Sequence, residues 1–266
     1  MTPMDRSRAF GPALWGATLA YCFQNILGLT DWFGEPNLGK LWEAMSVPYD
    51  TIEVFYFSWL FNYMGWLLPV LAAAPFAASF CQDWRKRSAQ LQALRCGQRR
   101  YICSKGLAVW ISGGIVSAGG TLLFFGLLAL KGNTPLVFTP LLDPDGMSSQ
   151  ILKQCGNLWV FLGETGLLCF LSGGFWALTG LAFSAYWTSA PMALCFPLLV
   201  FWAHIQVVGK SGLPDWMNLA FVGDGGFLFV YSPLTYCAMA TGLFLAASLV
   251  WAGLFYVGVR RRFEHG

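Results

Sequence analysis

Side chains that commonly perform catalysis are scarce in this chain, which has two histidines, His204 and His265, among 266 residues. Ser172 and His204 would suggest an intramembrane serine protease, in which the histidine must lie within hydrogen-bond reach of the serine. We expect Ser172 near the middle of one membrane span and His204 near the outer end of the next. A metalloenzyme would need clustered His, Asp or Glu ligands, which the pattern lacks. An intramembrane enzyme is therefore the weaker alternative.

A nucleotide site is suggested only by Gly209-Lys210-Ser211, which matches the end of a P-loop. The P-loop pattern requires an earlier glycine, and His204 stands at that position. We therefore expect no cofactor and no nucleotide site in this chain.

Polar side chains inside apolar segments are more informative, because such groups are costly in a membrane and often functional. They are Gln24, Asn25, Asn62, Glu164 and His204. Each is predicted in the outer half of a span, where together they would line an outward-opening cavity. Glu164 and His204 have similar predicted depth, so we expect that they can pair. Interfacial positions or structural hydrogen bonds are the alternative interpretation.

The elements that position these residues follow from composition. Hydrophobic residues make up 56% of the chain and charged residues 11%, whereas soluble domains carry about 25% charged residues. A spanning helix needs roughly 20 apolar residues. The sequence therefore predicts an all-α integral membrane protein, a single transmembrane domain over 1–266, with spans at 9–29, 54–81, 106–130, 158–187, 192–208 and 235–259.

Basic residues predict the orientation, because lysine and arginine near span ends stay in the cytoplasm. With both termini cytoplasmic, the inner side holds 12 of the 16 basic residues. These are Arg6, Arg8, Arg85, Lys86, Arg87, Arg95, Arg99, Arg100, Lys105, Arg260, Arg261 and Arg262. We expect a multi-pass protein of the bacterial plasma membrane that contacts lipid and no nucleic acid.

Proline, glycine and cysteine add local predictions. Pro69 and Pro75 should each kink the second span. Small residues let helices approach closely in lipid, and glycine recurs for this purpose at Gly113, Gly114, Gly119, Gly120, Gly173, Gly174 and Gly180. Residues 214–222 read as a short aromatic helix that Gly223 ends. The eight cysteines match no disulfide framework or zinc pattern.

The segment 82–105 has the most distinctive pattern. Residues 85–87 are Arg-Lys-Arg, Ala89, Leu91, Ala93 and Leu94 have weak helical periodicity, and Arg-Arg-Tyr stands at 99–101. A basic loop held against anionic lipid is one interpretation. A helix that docks on a cytoplasmic partner is the other.

The order of these features resembles the permease subunits of ABC-2 type exporters, especially the compact Gram-positive ones. The resemblance covers the layout of the whole chain and, by residue, about 80–105. It implies a type V exporter-like architecture in which 82–105 is the coupling segment. The matching residues, to which it implies an ATPase-coupling role, are Asp83, Arg85, Arg95, Arg99, Tyr101 and Lys105.

The resemblance further implies a separate ABC ATP-binding subunit that binds ATP and Mg²⁺, and a second permease, either another copy or a homologous chain. The turn at 188–191 would be a minor contact with that subunit. The aromatic, charge-poor spans favour export of an amphipathic peptide, lipid or drug, and the compact relatives suggest an antimicrobial peptide. A secondary transporter subunit or a membrane scaffold is the alternative, although no paired broken helices support the former.

Overall fold

The computed structural model describes residues 11–32, 66–131, 158–211, 214, 217–223 and 233–265. Their regular secondary structure is entirely helical. The helices, numbered here in chain order, are α1 (Pro12–Trp32), α2 (Leu68–Ala73), α3 (Ser79–Arg85), α4 (Ser88–Cys96), α5 (Gln98–Lys131), α6 (Leu158–Tyr186), α7 (Ala190–Ser211), α8 (Leu219–Gly223) and α9 (Pro233–His265).

Four of these helices, α5, α6, α7 and α9, are long and apolar enough to cross a membrane. This indicates a membrane protein and confirms the all-α fold class in its coarser form. Helix α1 has 21 residues and covers most of the predicted first span. The second predicted span lies partly outside the described residues, so the count of six stays a prediction.

Helix α6 is the centre of the bundle and packs against α5, α9, α7 and α2. In its most apolar stretch, 78% of the residues are buried by protein, compared with 22% in α7 and 28% in α9. A helix that is apolar on all sides can be enclosed in this way, whereas α7 and α9 leave apolar side chains facing outward. Helices α2, α5, α7 and α9 therefore surround α6, while α1 packs against α5.

Glycine residues allow helices α5 and α6 to cross at short distance. A methyl group at Gly113 would lie 2.6 Å from the carbonyl oxygen of Gly173 and 2.5 Å from Cβ of Ala177. Any larger side chain would force the two backbones apart. A Cβ atom added at any of the seven glycines predicted as packing positions would lie at most 3.2 Å from a neighbouring atom, which confirms that prediction.

The described part of the second predicted span, 66–81, contains a break in the helix. Pro69 lies in the first turn of α2, where its missing N–H costs nothing. Pro75 lies in the turn between α2 and α3, so the helix breaks there. The helix break at Pro75 confirms the kink predicted there. A kink at Pro69 stays a prediction, because the residues before 66 lie outside the described part of the chain.

Candidate functional site

Helix α4 reverses the chain between α3 and α5. It is bracketed by two residues with left-handed φ angles, Arg87 at 57° and Gly97 at 83°. Glycine adopts this conformation without strain, while arginine does so at a cost of about 1 kcal/mol. Helix α5 then begins at Gln98, eight residues before the predicted start of the third span at 106. Of the two interpretations of 82–105, a basic loop or a helix, the structure has the helix, within a helical hairpin of α3, α4 and α5.

A buried ion pair joins the two arms of this hairpin. Nζ of Lys105 on α5 lies 2.5 Å from Oδ2 of Asp83 on α3, and both side chains are at most 1% exposed. Ser88, the first residue of α4, has its Oγ 3.3 Å from Oδ1 of Asp83 and 3.2 Å from the Asp83 backbone oxygen. The Ser88 hydroxyl has one proton, so it donates to one of these two oxygens at a time. Three helices thus meet at one carboxylate.

Aromatic rings complete the surroundings of the lysine. Nζ of Lys105 lies 4.7 Å from the ring centroid of Phe76 and 5.9 Å from that of Tyr101, distances at which a cation is attracted to a ring face. Removing one member of a buried ion pair leaves an uncompensated charge, which is strongly destabilising. The pair therefore fixes α3 relative to the long helix α5, and Ser88 connects α4 to it.

Two arginines attach the turn between α6 and α7 to the same region. Nη2 of Arg85 donates to the carbonyl oxygen of Thr188 over 3.0 Å. Arg262 donates to the carbonyl oxygens of Ala185 and Tyr186 at the end of α6 and lies over the ring of Trp84. The carbonyl oxygens of Ala185 and Tyr186 lie in the last turn of α6, where no backbone N–H of the helix donates to them. Arg262 supplies the missing donors. This arginine-rich region is called the basic end below.

The predicted coupling residues divide into two groups. Asp83, Tyr101 and Lys105 are buried, so they position the hairpin and do not reach a partner in this structure. Arg95 and Arg99 are exposed, and Arg85 is exposed but bonded to the turn after α6.

The predicted amphipathic pattern of α4 needs a correction. Ala89 and Ala93 form its buried face, whereas Leu91 and Leu94 are 58% and 83% exposed. In the described structure, α4 presents two leucines and Arg95 on its outer side.

The other predicted polar residues lie away from the basic end. His204 is about four turns further along α7 than the basic end. Its Nε2 accepts a hydrogen bond from the backbone N–H of Leu219 over 3.0 Å, and the Met217 carbonyl oxygen lies equally close. His204 is therefore held by Met217 and Leu219 at the start of α8, and its pairing with Glu164 stays a prediction.

Glu164 is half-buried on α6, within electrostatic range of Cys237 on α9. Gln24 and Asn25 are buried on α1. Asn62 lies outside the described residues.

The short helix predicted at 214–222 is confirmed only in its last part, because α8 covers Leu219–Gly223. Sequence reasoning missed its tether to the bundle, in which the Tyr236 hydroxyl donates to the Val222 carbonyl oxygen over 2.7 Å. It also missed Ser88, Phe76 and Arg262 at the basic end. Arg262 was predicted only as part of a basic C-terminal run, and nothing local indicates its carbonyl partners.

No family model, curated protein or solved structure matches this chain. Within the described residues, no three His, Cys, Asp or Glu side chains form a group that could hold a metal ion. The seven cysteines in the described part are free thiols. The hairpin of α3, α4 and α5 is therefore the candidate functional site on geometry alone.

Proposed function

We propose that this chain is the permease subunit of an ATP-binding cassette exporter and that α4 is its contact with the ATP-binding subunit. The proposal rests on the exposed outer face of α4 and on the buried ion pair beside it. Leu91 and Leu94 offer apolar surface next to Arg95 on α4. Ser88 at the start of α4 is bonded to Asp83 of α3, which is paired with Lys105 of α5. Exposed apolar patches rimmed by charge are typical of protein contacts.

The buried ion pair allows a movement of α4 to reach the spans. Nucleotide binding in the partner would push on the outer face of α4. Because Asp83 on α3 is bonded to Lys105 on α5, that push passes to the long helix α5, which packs closely against α6 at Gly113 and Gly173. Packed helices respond by switching between discrete arrangements, as alternating access requires.

The rest of the proposal concerns partners and substrate. ATP and Mg²⁺ would be bound by the partner, and a second permease would complete the translocation path. Gln24, Asn25, Asn62, Glu164 and His204 would belong to the outward-facing part of that path. The apolar, aromatic spans suit an amphipathic substrate such as a peptide, lipid or drug, and an antimicrobial peptide is the substrate that we would test first.

The proposal is tested by expressing the full chain with the P-loop ATPase encoded nearest to it, and by measuring co-purification and ATP hydrolysis in proteoliposomes. Arg95→Glu should lower co-purification, or uncouple hydrolysis from transport, because it reverses the charge on the outer face of α4. Leu94→Glu should act in the same direction. Arg261→Glu is the matched control, since Arg261 is also exposed but lies on α9.

Two results would contradict the proposal. One is a wild-type chain that binds no such ATPase and transports without nucleotide, which would favour a secondary transporter. The other is equal behaviour of Arg95→Glu and Arg261→Glu, which would make α4 a lipid-facing helix. Membrane insertion of each variant, measured by protease protection, separates loss of coupling from loss of fold.

A further inference from the structure

An apolar groove runs between α5 and α9, and Leu178 of α6 also lines it. Its α5 wall includes Cys103, Gly106 and Leu107, and its α9 wall includes Leu249 and Tyr256. The groove has a volume of about 310 Å³, and Ser248 contributes a polar side chain to an otherwise apolar lining. It opens outward, because Leu107 and Leu249 are 54% and 72% exposed. Its chemistry suits a hydrocarbon chain.

Both walls of the groove end in arginine. Residues three or four apart lie on one face of a helix, so Arg99 and Arg100 continue the α5 wall that contains Cys103. In the same way, Arg260 continues the α9 wall one turn beyond Tyr256. Because the groove brings residues near 103 together with residues near 256, these arginines lie at the same end, the basic end.

The charge at this end is strongly positive. Arg99, Arg100 and Arg260 are exposed. Of the acidic residues described near them, Asp83 is paired with Lys105 inside the hairpin and Glu264 is bonded to Arg260 over 2.7 Å. Arg99 and Arg100 therefore present their charge at the mouth of an apolar groove.

We propose that this groove is a binding site for an anionic phospholipid of the surrounding membrane. One acyl chain lies along Cys103, Gly106 and Leu249, and the phosphate is bound by Arg99 and Arg100. Basic residues between membrane helices bind lipid head groups in this way, and buried methylene groups supply the remaining affinity. The site is independent of the proposed export function, because it requires neither nucleotide nor a partner protein.

Gly106 gives the sharpest test of the acyl-chain site. A Cβ atom at Gly106 would have no atom within 4 Å, so leucine fits there and fills the groove without displacing a helix. Gly126, also on α5, is equally open but does not line the groove, which makes Gly126→Leu the matched control. Cys103→Phe is a second way to fill the groove if Gly106→Leu lowers the yield of folded protein.

The purified full chain is incubated with phosphatidylglycerol or phosphatidylcholine of identical acyl chains, and retained lipid is counted by native mass spectrometry. The wild type should retain more phosphatidylglycerol than phosphatidylcholine. Gly106→Leu should lose retained lipid of both kinds, while Gly126→Leu should keep it. Arg99→Gln with Arg100→Gln should lower phosphatidylglycerol retention roughly fivefold per arginine and leave phosphatidylcholine unchanged.

Three outcomes would overturn the proposal. The first is equal retention of the two lipids by the wild type. The second is equal lipid loss from Gly106→Leu and Gly126→Leu. The third is a Gly106→Leu chain that changes from dimer to monomer with its lipid retained, which would assign the groove to a second copy of this chain.

Discussion

Two short helices are attached to the bundle at different places and by different chemistry. The hairpin that carries α4 is held at the basic end by the buried ion pair between Asp83 on α3 and Lys105 on α5. Helix α8 is attached by neutral hydrogen bonds from the Tyr236 hydroxyl and to the ring nitrogen of His204. Leaving a buried charge without its partner is strongly destabilising, whereas removing one hydrogen bond from a neutral group lowers the free energy of unfolding by less. The attachment of α4 is therefore the more sensitive to single changes.

The largest expected effect is that of Lys105→Met. It leaves the Asp83 carboxylate buried without its cation, so the free energy of unfolding should fall by about 3–5 kcal/mol. Thermal or denaturant unfolding in detergent, followed by tryptophan fluorescence, measures this change. Proteolysis should also cut the chain near α4 sooner than in the wild type.

The double variant Asp83→Leu with Lys105→Met is the control for this prediction. It removes both charges at once, and apolar replacement of a buried pair is often neutral. Recovery of most of the lost stability is expected. A double variant as unstable as Lys105→Met alone would mean that packing at Phe76 and Tyr101, rather than charge, holds the hairpin.

Tyr236→Phe tests the attachment of α8. Tyr236 is fully buried, and its removal takes a donor from the carbonyl oxygen of Val222, which is also buried. The expected loss is about 1–3 kcal/mol in the free energy of unfolding, because a buried acceptor loses a hydrogen bond. A loss as large as that of Lys105→Met would show that the two attachments do not differ as their chemistry predicts.

The smallest effect is expected for His204→Leu. The backbone N–H of Leu219 loses its acceptor, but this bond is only partly buried, so the loss should be about 0.5–1.5 kcal/mol. His204→Gln supplies an amide oxygen and should restore part of it. Hydrogen exchange at Leu219 measures both variants. If His204→Leu abolished transport while exchange stayed unchanged, His204 would belong to the translocation path and its structural role would be minor.

Helix bounds were largely predictable, because each depends on local composition. The predicted fourth span, 158–187, matches α6 to within one residue, and the fifth and sixth lie inside α7 and α9. Helix α5 begins eight residues before the predicted start of the third span. The reason is that residues 98–105 carry Arg99, Arg100 and Lys105, which a hydropathy rule excludes although the helix continues through them.

The candidate site was predictable only as a set of residue types. The sequence placed Asp83 and Lys105 in one segment, but the family resemblance implied for both the same role as for Arg95, which is exposed. Burial separates them, and burial depends on how α3 and α5 pack. The partner of His204 was also not predictable from sequence. Glu164 was suggested only by its similar predicted depth in the membrane.

The sequence by itself determined that long apolar helices form, that Pro75 breaks one of them, and that basic residues gather in the hairpin and the C-terminal run. Backbone hydrogen bonding and hydropathy decide these features within a few turns of chain. Tertiary structure decided that Lys105 meets Asp83 across 22 residues, that Arg262 binds the end of α6, and that a groove separates α5 from α9. These features depend on chain reversal at Arg87 and Gly97 and on close packing at glycine, which bring together residues that no local pattern connects.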